Sequence, residues 1–453
     1  MPQYKSCTAE NGTSTCTKFV FEDSMKTVAT EWELVCDRAW ITSTITSVQM
    51  AGVFIGNLAC GQVADLVGRK PPLFLSLLSL IVFNLLSAFS TSWIMFAVVR
   101  FFIGLSMGFE LTVQYNIMVE FAQVKWRTWV VAVPSWAVQT VLFALVTWLL
   151  KNWQHIHFFT AAFGIPLLAS YRFIPESFRW YVGHDRYKDA ESIIKKVARI
   201  NGKPAPDLSE IYTMGKALKK EKETDKKYSF WDIAKSKELR KYTVLLIFVW
   251  ITLGLGGYGI QFGVTDLSGN LYVNIFVFGL IASPMQFICI YLQNRFGRKK
   301  TASILYVICA VAALVVAVAY RFKESSIRDH LTNAAAITAL AVVTSAWSPI
   351  QTLTIETYPT VVRNIGFGLQ NTMARVGAII GPQLVFLDTK VAGMMYWICA
   401  VAVIVSIFLI VPIPETFGRD LSDKIIAQQN KTTSNEEHSV GFSDEEDMLT
   451  EKP

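Results

Sequence analysis

Apolar residues in this chain fall in long uninterrupted runs, with neither the alternation of a half-buried strand nor the single stripe of a surface helix. ITSTITSVQMAGVFIGNLAC (41–60) and YTVLLIFVWITLGLGGYGIQF (242–262) each continue for about 20 residues without a charge, the length a helix needs to cross roughly 30 Å of hydrocarbon. With no water to satisfy backbone groups there, each run is predicted to be helical. Eleven spans are predicted, at 41–63, 72–90, 93–119, 128–150, 156–174, 241–260, 270–292, 301–320, 330–352, 365–387 and 394–412. Residues 1–40 are polar and do not read as a secretory signal peptide. The organisation expected is an outer segment (1–40), a first helix bundle (41–174), a loop (175–240), a second bundle (241–412) and a tail (413–453).

Composition agrees with a polytopic membrane protein: 52% of the 453 residues are hydrophobic and 17% are charged. Charge then sets orientation. Arg69/Lys70, Lys125/Arg127, Arg295/Arg298/Lys299/Lys300 and Arg363 share one set of loops, as does 181–241 with 16 Lys/Arg against 10 Asp/Glu. Loops of the other set are short and mostly poor in positive charge, RFKESSIRD (321–329) excepted. The basic set is expected in the cytoplasm with the C-terminus, which places residues 1–40 outside. Asn11-Gly12-Thr13 is then a glycosylation acceptor in an outer segment. Cys7, Cys16 and Cys36 share that segment, where one disulfide of open connectivity is expected. Cys60, Cys289, Cys309 and Cys399 lie in apolar runs and read as packing residues.

Three local patterns occur twice. VADLVGRK (63–70) matches LQNRFGRK (292–299), Glu120/Arg127 match Glu356/Arg363, and PESFRW (175–180) resembles PETFGR (414–419). All three are about 230–240 residues apart and in the same order, which argues for two parallel repeats of about six helices. The helix at 241–260 has no apolar counterpart, because its equivalent falls on KSCTAENGTSTCTKFVFEDS (5–24). The first repeat is therefore expected to lack its first helix, through truncation, alternative splicing or a gene-model error.

These residues resemble the organic cation/anion/carnitine transporter family of the major facilitator superfamily. TEWELVCD (30–37), GQVADLVGRK (61–70), PESFRW (175–180) and ETYPTVVRNIGFG (356–368) are similar to its signatures, in order, over about residues 17–420. The resemblance implies an all-α fold of two parallel six-helix repeats, here about eleven helices. It also implies transport by alternating access at the plasma membrane, and a gating latch containing Asp65, Arg69, Glu120, Arg127, Arg298, Glu356 and Arg363. Asn294 stands where the first repeat has Asp65, so the second latch is expected to be weaker.

Charges inside spans are costly and usually face a bundle interior. Glu110 and Arg375 are the two that stand out, and Arg100 is expected to snorkel toward its helix end. By resemblance, Arg375 marks anion- and carnitine-type members. Ala282 occupies a position that is often acidic in the family. A carboxylate and a guanidinium in one cavity suit a zwitterion. Tyr258, Trp136 with Gln139, Gln114, and Trp347 with Gln351 complete the candidate site, because an aromatic face attracts quaternary ammonium groups. Gln351 and Leu353 replace tyrosines common in the family.

DRYKDAESIIKKVARI (185–200) is expected to be an amphipathic helix at the lipid or protein surface, and the acidic tail to be disordered. No Walker loop, HExxH or nucleophile motif occurs, so no enzyme and no cofactor is implied. The expected partners are a small organic ion, the lipid bilayer and a coupling ion, with no nucleic acid. The competing expectation is a non-transporting or regulatory product lacking the first helix.

Overall fold

The computed structural model describes residues 19, 21, 25–121, 135–204, 209, 212, 230–264, 267, 269–323, 325–359 and 362–417. Asn11, Cys7, Cys16, Lys125, Arg127 and the tail beyond 417 lie outside them. Among the described residues the secondary structure is helical, apart from one isolated bridge between Lys26 and Asn152.

Among the described residues eleven long helices follow the predicted spans, with 128–134 of the fourth span outside them: α1 (Trp40–Val67), α2 (Lys70–Ala88), α3 (Trp93–Phe121), α4 (Ser135–Leu150), α5 (Trp153–Ala169), α6 (Lys237–Gly263), α7 (Leu271–Phe296), α8 (Arg298–Ala319), α9 (Ser326–Thr357), α10 (Arg363–Lys390) and α11 (Met394–Ile410). Over the described residues, seven of them are long and apolar enough to cross a membrane. α10 is not one of them, because Asn371, Arg375, Gln383 and Asp388 dilute its apolar run. Successive helices alternate in direction. One end of the bundle carries the Gly-Arg-Lys turns and is termed the basic end; the other is the distal end.

Local chemistry sets the boundaries. Asn152 accepts from Gln154 N (2.9 Å) and starts α5 at residue 153. Ser236 caps α6, and Asn270 caps α7 by accepting from Tyr272 N at 2.9 Å. α9 is interrupted at Ala346, three residues before Pro349. Proline has no N–H to bond the Ser345 carbonyl, and that oxygen accepts instead from the Cys289 thiol of α7 (3.3 Å).

Helices α1–α5 and α6–α11 form two halves. The second has one large core around Trp250, Tyr306, Tyr358 and Tyr396, all fully buried. Buried polar side chains pair across it: Trp250 Nε1 donates to Thr354 Oγ1 (2.9 Å), and Tyr358 Oη donates to Thr243 Oγ1 (2.9 Å) while accepting from Gln370 Nε2 (3.0 Å). Unpaired polar groups are costly in such surroundings, and these bonds tie α6, α9 and α10 together. The first half has smaller clusters. Trp32, from the signature segment 30–37, packs its ring 5.5 Å from Phe96 and 5.4 Å from Trp153 at the distal end. Cys36 is disulfide-bonded, and the rest of its bridge lies outside the described residues. Cys60, Cys289, Cys309 and Cys399 are free and buried.

Between the halves lie short helices at Phe178–Gly183, Tyr187–Ile200 and Phe230–Lys235. The amphipathic helix forms as expected and buries Ala190 against Val182 of the Phe178–Gly183 turn.

Two helix pairs carry the main contact between the halves, α1 with α10 and α4 with α7. Along α1 the links run from Ser47, which donates to Ile379 O (2.8 Å) and accepts from Gln383 Nε2 (3.1 Å), through Met50 and Val53 against Ala378, to Asn57 beside Arg375. At 1.5 Å per residue, Arg375 is about 18 Å from the basic end of α10 and about 22 Å from the distal end. These links therefore occupy the distal half and reach the midplane.

Candidate functional site

Small residues make the midplane site. A Cβ at Gly254 or Gly377 would overlap the backbone of α10 or α6, and one at Gly381 would come within 2.9 Å of Gly259 N. These helices approach backbone to backbone. Tyr258 lies between two of the glycines and reaches Arg375. On the other half, Gly52 and Gly56 of α1 interlock with Gly104 and Gly108 of α3 in the same way. That contact brings Asn57 against Gly108 and Thr112.

Arg375 is 8% exposed. Its Nη1 donates to Tyr258 Oη at 2.6 Å. With the Asn57 amide oriented to satisfy its neighbours, the nitrogen donates to Gly108 O (2.8 Å) and Thr112 Oγ1 (3.2 Å), and the oxygen accepts from Arg375 Nε at 3.0 Å. Among the described residues no carboxylate pairs with Arg375. A full positive charge is thus held at the midplane by two neutral oxygens, one from each half. Its partner Tyr258 packs in one apolar cluster with Met50, Val53, Met107, Phe262, Ala378 and Ile379.

The other predicted residues sit on the surrounding helices. Glu110 and Gln114 lie one and two turns along α3 from Met107 and share its face. Both are half-buried. Trp347 packs edge-on to Trp250 (5.7 Å) and against Gly257, the residue before Tyr258, so it joins the core of the second half. Gln351 follows it by one turn and is half-buried. Trp136 and Gln139 are exposed on α4, whose face at Ala137 and Val141 meets Gly279 of α7. Ala282 is buried in the second core. Arg100 departs from expectation: it turns inward, with Nη1 donating to Gln49 Oε1 of α1 (2.9 Å) and its guanidinium 4.9 Å from the Phe96 ring. The acceptor on α1 removes the reason to snorkel.

At the basic end each half contains one ionic cluster. Arg69 pairs with Asp65 (2.7 Å) and Glu120 (3.3 Å), and its Nη1 donates to Ala64 O. Arg298 pairs with Glu356 (3.2 Å), and its Nη1 donates to Gln293 O (3.2 Å). Asn294 contributes no charge, as its identity dictates. Arg363 Nε donates to Tyr358 O (3.3 Å).

Two glutamates of the repeated PESFRW and PETFGR motifs, given no role by the sequence reading, organise these clusters. Glu176 accepts from the backbone N–H groups of Arg69 (2.8 Å) and Lys70 (3.0 Å); Glu415 accepts from those of Arg298 (2.9 Å) and Lys299 (3.3 Å). Each carboxylate caps the N-terminus of the following helix, where orphan N–H groups and the helix dipole favour negative charge. Gly68 (φ 101°, ψ 174°) and Gly297 (φ 100°, ψ 164°) turn the chain beneath them in a region essentially reserved for glycine. A signal for the two glutamates exists, since PES and PET recur at nearly the same offset as the Gly-Arg-Lys turns they cap. Asn57 also escapes a reading of the sequence, because a neutral amide in an apolar run carries no charge signal. Among the described residues no group of three or more His, Cys, Asp or Glu is placed to hold a metal.

Known proteins share this architecture. Residues 4–424 match the family described as "Sugar (and other) transporter". An organic cation transporter protein of Drosophila melanogaster is 30% identical over 93% of this chain and 78% of its own length. Organic cation/carnitine transporter 2 of Rattus norvegicus is 28% identical over 88% and 71%. Among solved structures, the xylose transporter XylE from E. coli in an inward open conformation superposes with a TM-score of 0.68 at 16% identity, over 88% of this chain and 93% of that one. The chain belongs to the sugar (and other) transporter family of the major facilitator superfamily, among its organic cation, anion and carnitine transporters.

Proposed function

We propose that this protein carries small organic ions across the plasma membrane by alternating access, with the basic end in the cytoplasm and residues 1–40 outside. The observation that carries this reading is Arg375, a buried cation without a carboxylate partner among the described residues, held at the seam of two halves. A charge there is costly unless something balances it, and a substrate anion is the natural balance. The names of the Drosophila and rat relatives support organic cations and carnitine as the substrate class. Glu110, on the α3 face that carries Met107, would take the cationic end of a carnitine-like zwitterion. Tyr258, Gln114, Trp136, Gln139, Trp347 and Gln351 would line the path, aromatic faces contributing about 0.5–2 kcal/mol per ammonium contact. The reading as a non-transporting product finds no support in these relatives.

Asp65, Arg69, Glu120, Arg127, Arg298, Glu356 and Arg363 would gate the basic end. Their described pairs lie within one half each, which suits a conformation in which that end is unlatched. The driving force is a gradient or the membrane potential, about 2.3 kcal/mol per charge per 100 mV, with or without a coupling ion. The test is uptake of labelled carnitine, tetraethylammonium and para-aminohippurate by cells expressing this chain. Arg375→Ala should abolish uptake of the carboxylate-bearing compounds, and Glu110→Gln uptake of the cationic ones. Surface-expressed protein that moves none of the three refutes the reading.

A further inference from the structure

We propose that Asn57 is an internal stand-in for substrate: its amide oxygen occupies the Arg375 donor that a substrate carboxylate takes over, so that loading releases a bond between the halves. This rests on the carrier reading above.

Arg375 uses two donor directions, Nη1 to Tyr258 of its own half and Nε to Asn57 of the other half. Nε and one Nη form the fork that receives a carboxylate bidentately. Asn57 holds the Nε tine at 3.0 Å. A carboxylate approaching that fork has to displace the amide. A carboxylate is the stronger acceptor, because it carries a full negative charge and can take two parallel N–H bonds from the guanidinium, where the amide offers one neutral oxygen. The displaced amide keeps partners on its own half, because its nitrogen still donates to Gly108 O and Thr112 Oγ1. Asn57 is thus poised on the first half with or without Arg375. The bond it gives up is the midplane end of the seam that continues through Met50 and Val53 to Ser47 and Gln383. Losing it weakens the distal closure from within, at the moment a ligand arrives. A substrate with no anionic group cannot compete for Nε and leaves the bond in place. Asn57 therefore selects for a carboxylate and couples its binding to separation of the halves.

The experiment uses the full chain with Ser47→Cys and Gln383→Cys, cross-linked by a short bifunctional reagent across the seam and scored after cleavage at a protease site inserted in the connecting loop. Asn57→Ala, the milder Asn57→Ser and Asn57→Asp are compared, with surface expression as the folding control. Expected without substrate is a cross-link yield that falls severalfold in Asn57→Ala and Asn57→Ser and persists in Asn57→Asp. Carnitine should lower the yield in the unsubstituted protein but not in Asn57→Asp, and tetraethylammonium should leave it unchanged. The apparent affinity for carnitine should rise about tenfold in Asn57→Ala and fall at least tenfold in Asn57→Asp. Unchanged cross-linking in Asn57→Ala and Asn57→Ser overturns the proposal, as does an equal effect of the two compounds. If the unsubstituted protein binds neither compound, the carrier reading fails separately, and the substrate-free cross-link still decides whether Asn57 holds the seam.

Discussion

Replacing Gly68 with alanine tests how the turns at the basic end are built. Gly68 has φ 101° and ψ 174°, and a Cβ there would overlap the Glu176 carboxylate. Holding an alanine in that backbone region costs of order 1–3 kcal/mol. Pushing Glu176 aside would also weaken its bonds to Arg69 N and Lys70 N, each charge-assisted bond being worth about 1.5–3 kcal/mol. The combined cost is about 3–6 kcal/mol. With roughly 2–4 °C per kcal/mol for a unit of 150–250 residues, the melting temperature should fall by about 6–24 °C. Tryptophan fluorescence of detergent-solubilised protein would read it. Gly202→Ala separates the two causes: Gly202 has φ 64° and a Cβ there would meet nothing within 4 Å, so only backbone strain applies. Gly61→Ala carries neither penalty and should be neutral within about 1 kcal/mol. Glu176→Gln, which keeps the glycine but removes the charge, should fall between. A Gly68→Ala protein no less stable than Gly202→Ala would refute the capping role of Glu176.

Two further outcomes follow from packing. Gly104→Ala places a methyl group against the Gln49 carbonyl of α1, and should cost about 1–3 kcal/mol or more through overpacking, read as a loss of monodisperse protein on size exclusion. Tyr358→Phe strips the partner from Thr243 and Gln370 in a buried network and should cost about 1–3 kcal/mol in thermal unfolding, with the helices otherwise unchanged by circular dichroism.

Much of this molecule is legible in its sequence, and the limits are physical. Helix spans show because the bilayer demands about 20 apolar residues at a time, a signal that needs no tertiary context. Arg375 shows because a charge in such a run is rare. Family resemblance puts Tyr258 in the same site, and the glycines around it explain the contact. Asn57 and Glu176 show less readily, since their roles depend on which helices meet. Asn57 matters only because Gly56 and Gly108 bring α1 onto α3, and Glu176 because the chain returns to the α1–α2 turn after more than 100 residues. Trp347 shows in part: an aromatic one turn from a glutamine reads as a cavity residue, and its packing on Trp250 and Gly257 depends on which helices meet.

Under the proposed function the two halves rock about Arg375, opening one end as the other closes. Pulsed electron resonance distances between spin labels at Leu66→Cys and Phe296→Cys test it most directly. Both positions are exposed at the basic end, one on each half, and the free cysteines among the described residues, Cys60, Cys289, Cys309 and Cys399, are buried. Expected is a long distance without substrate and a second, shorter population when a transported ion is added, lost again in Arg375→Ala. A single distance that does not respond to any transported ion would contradict it.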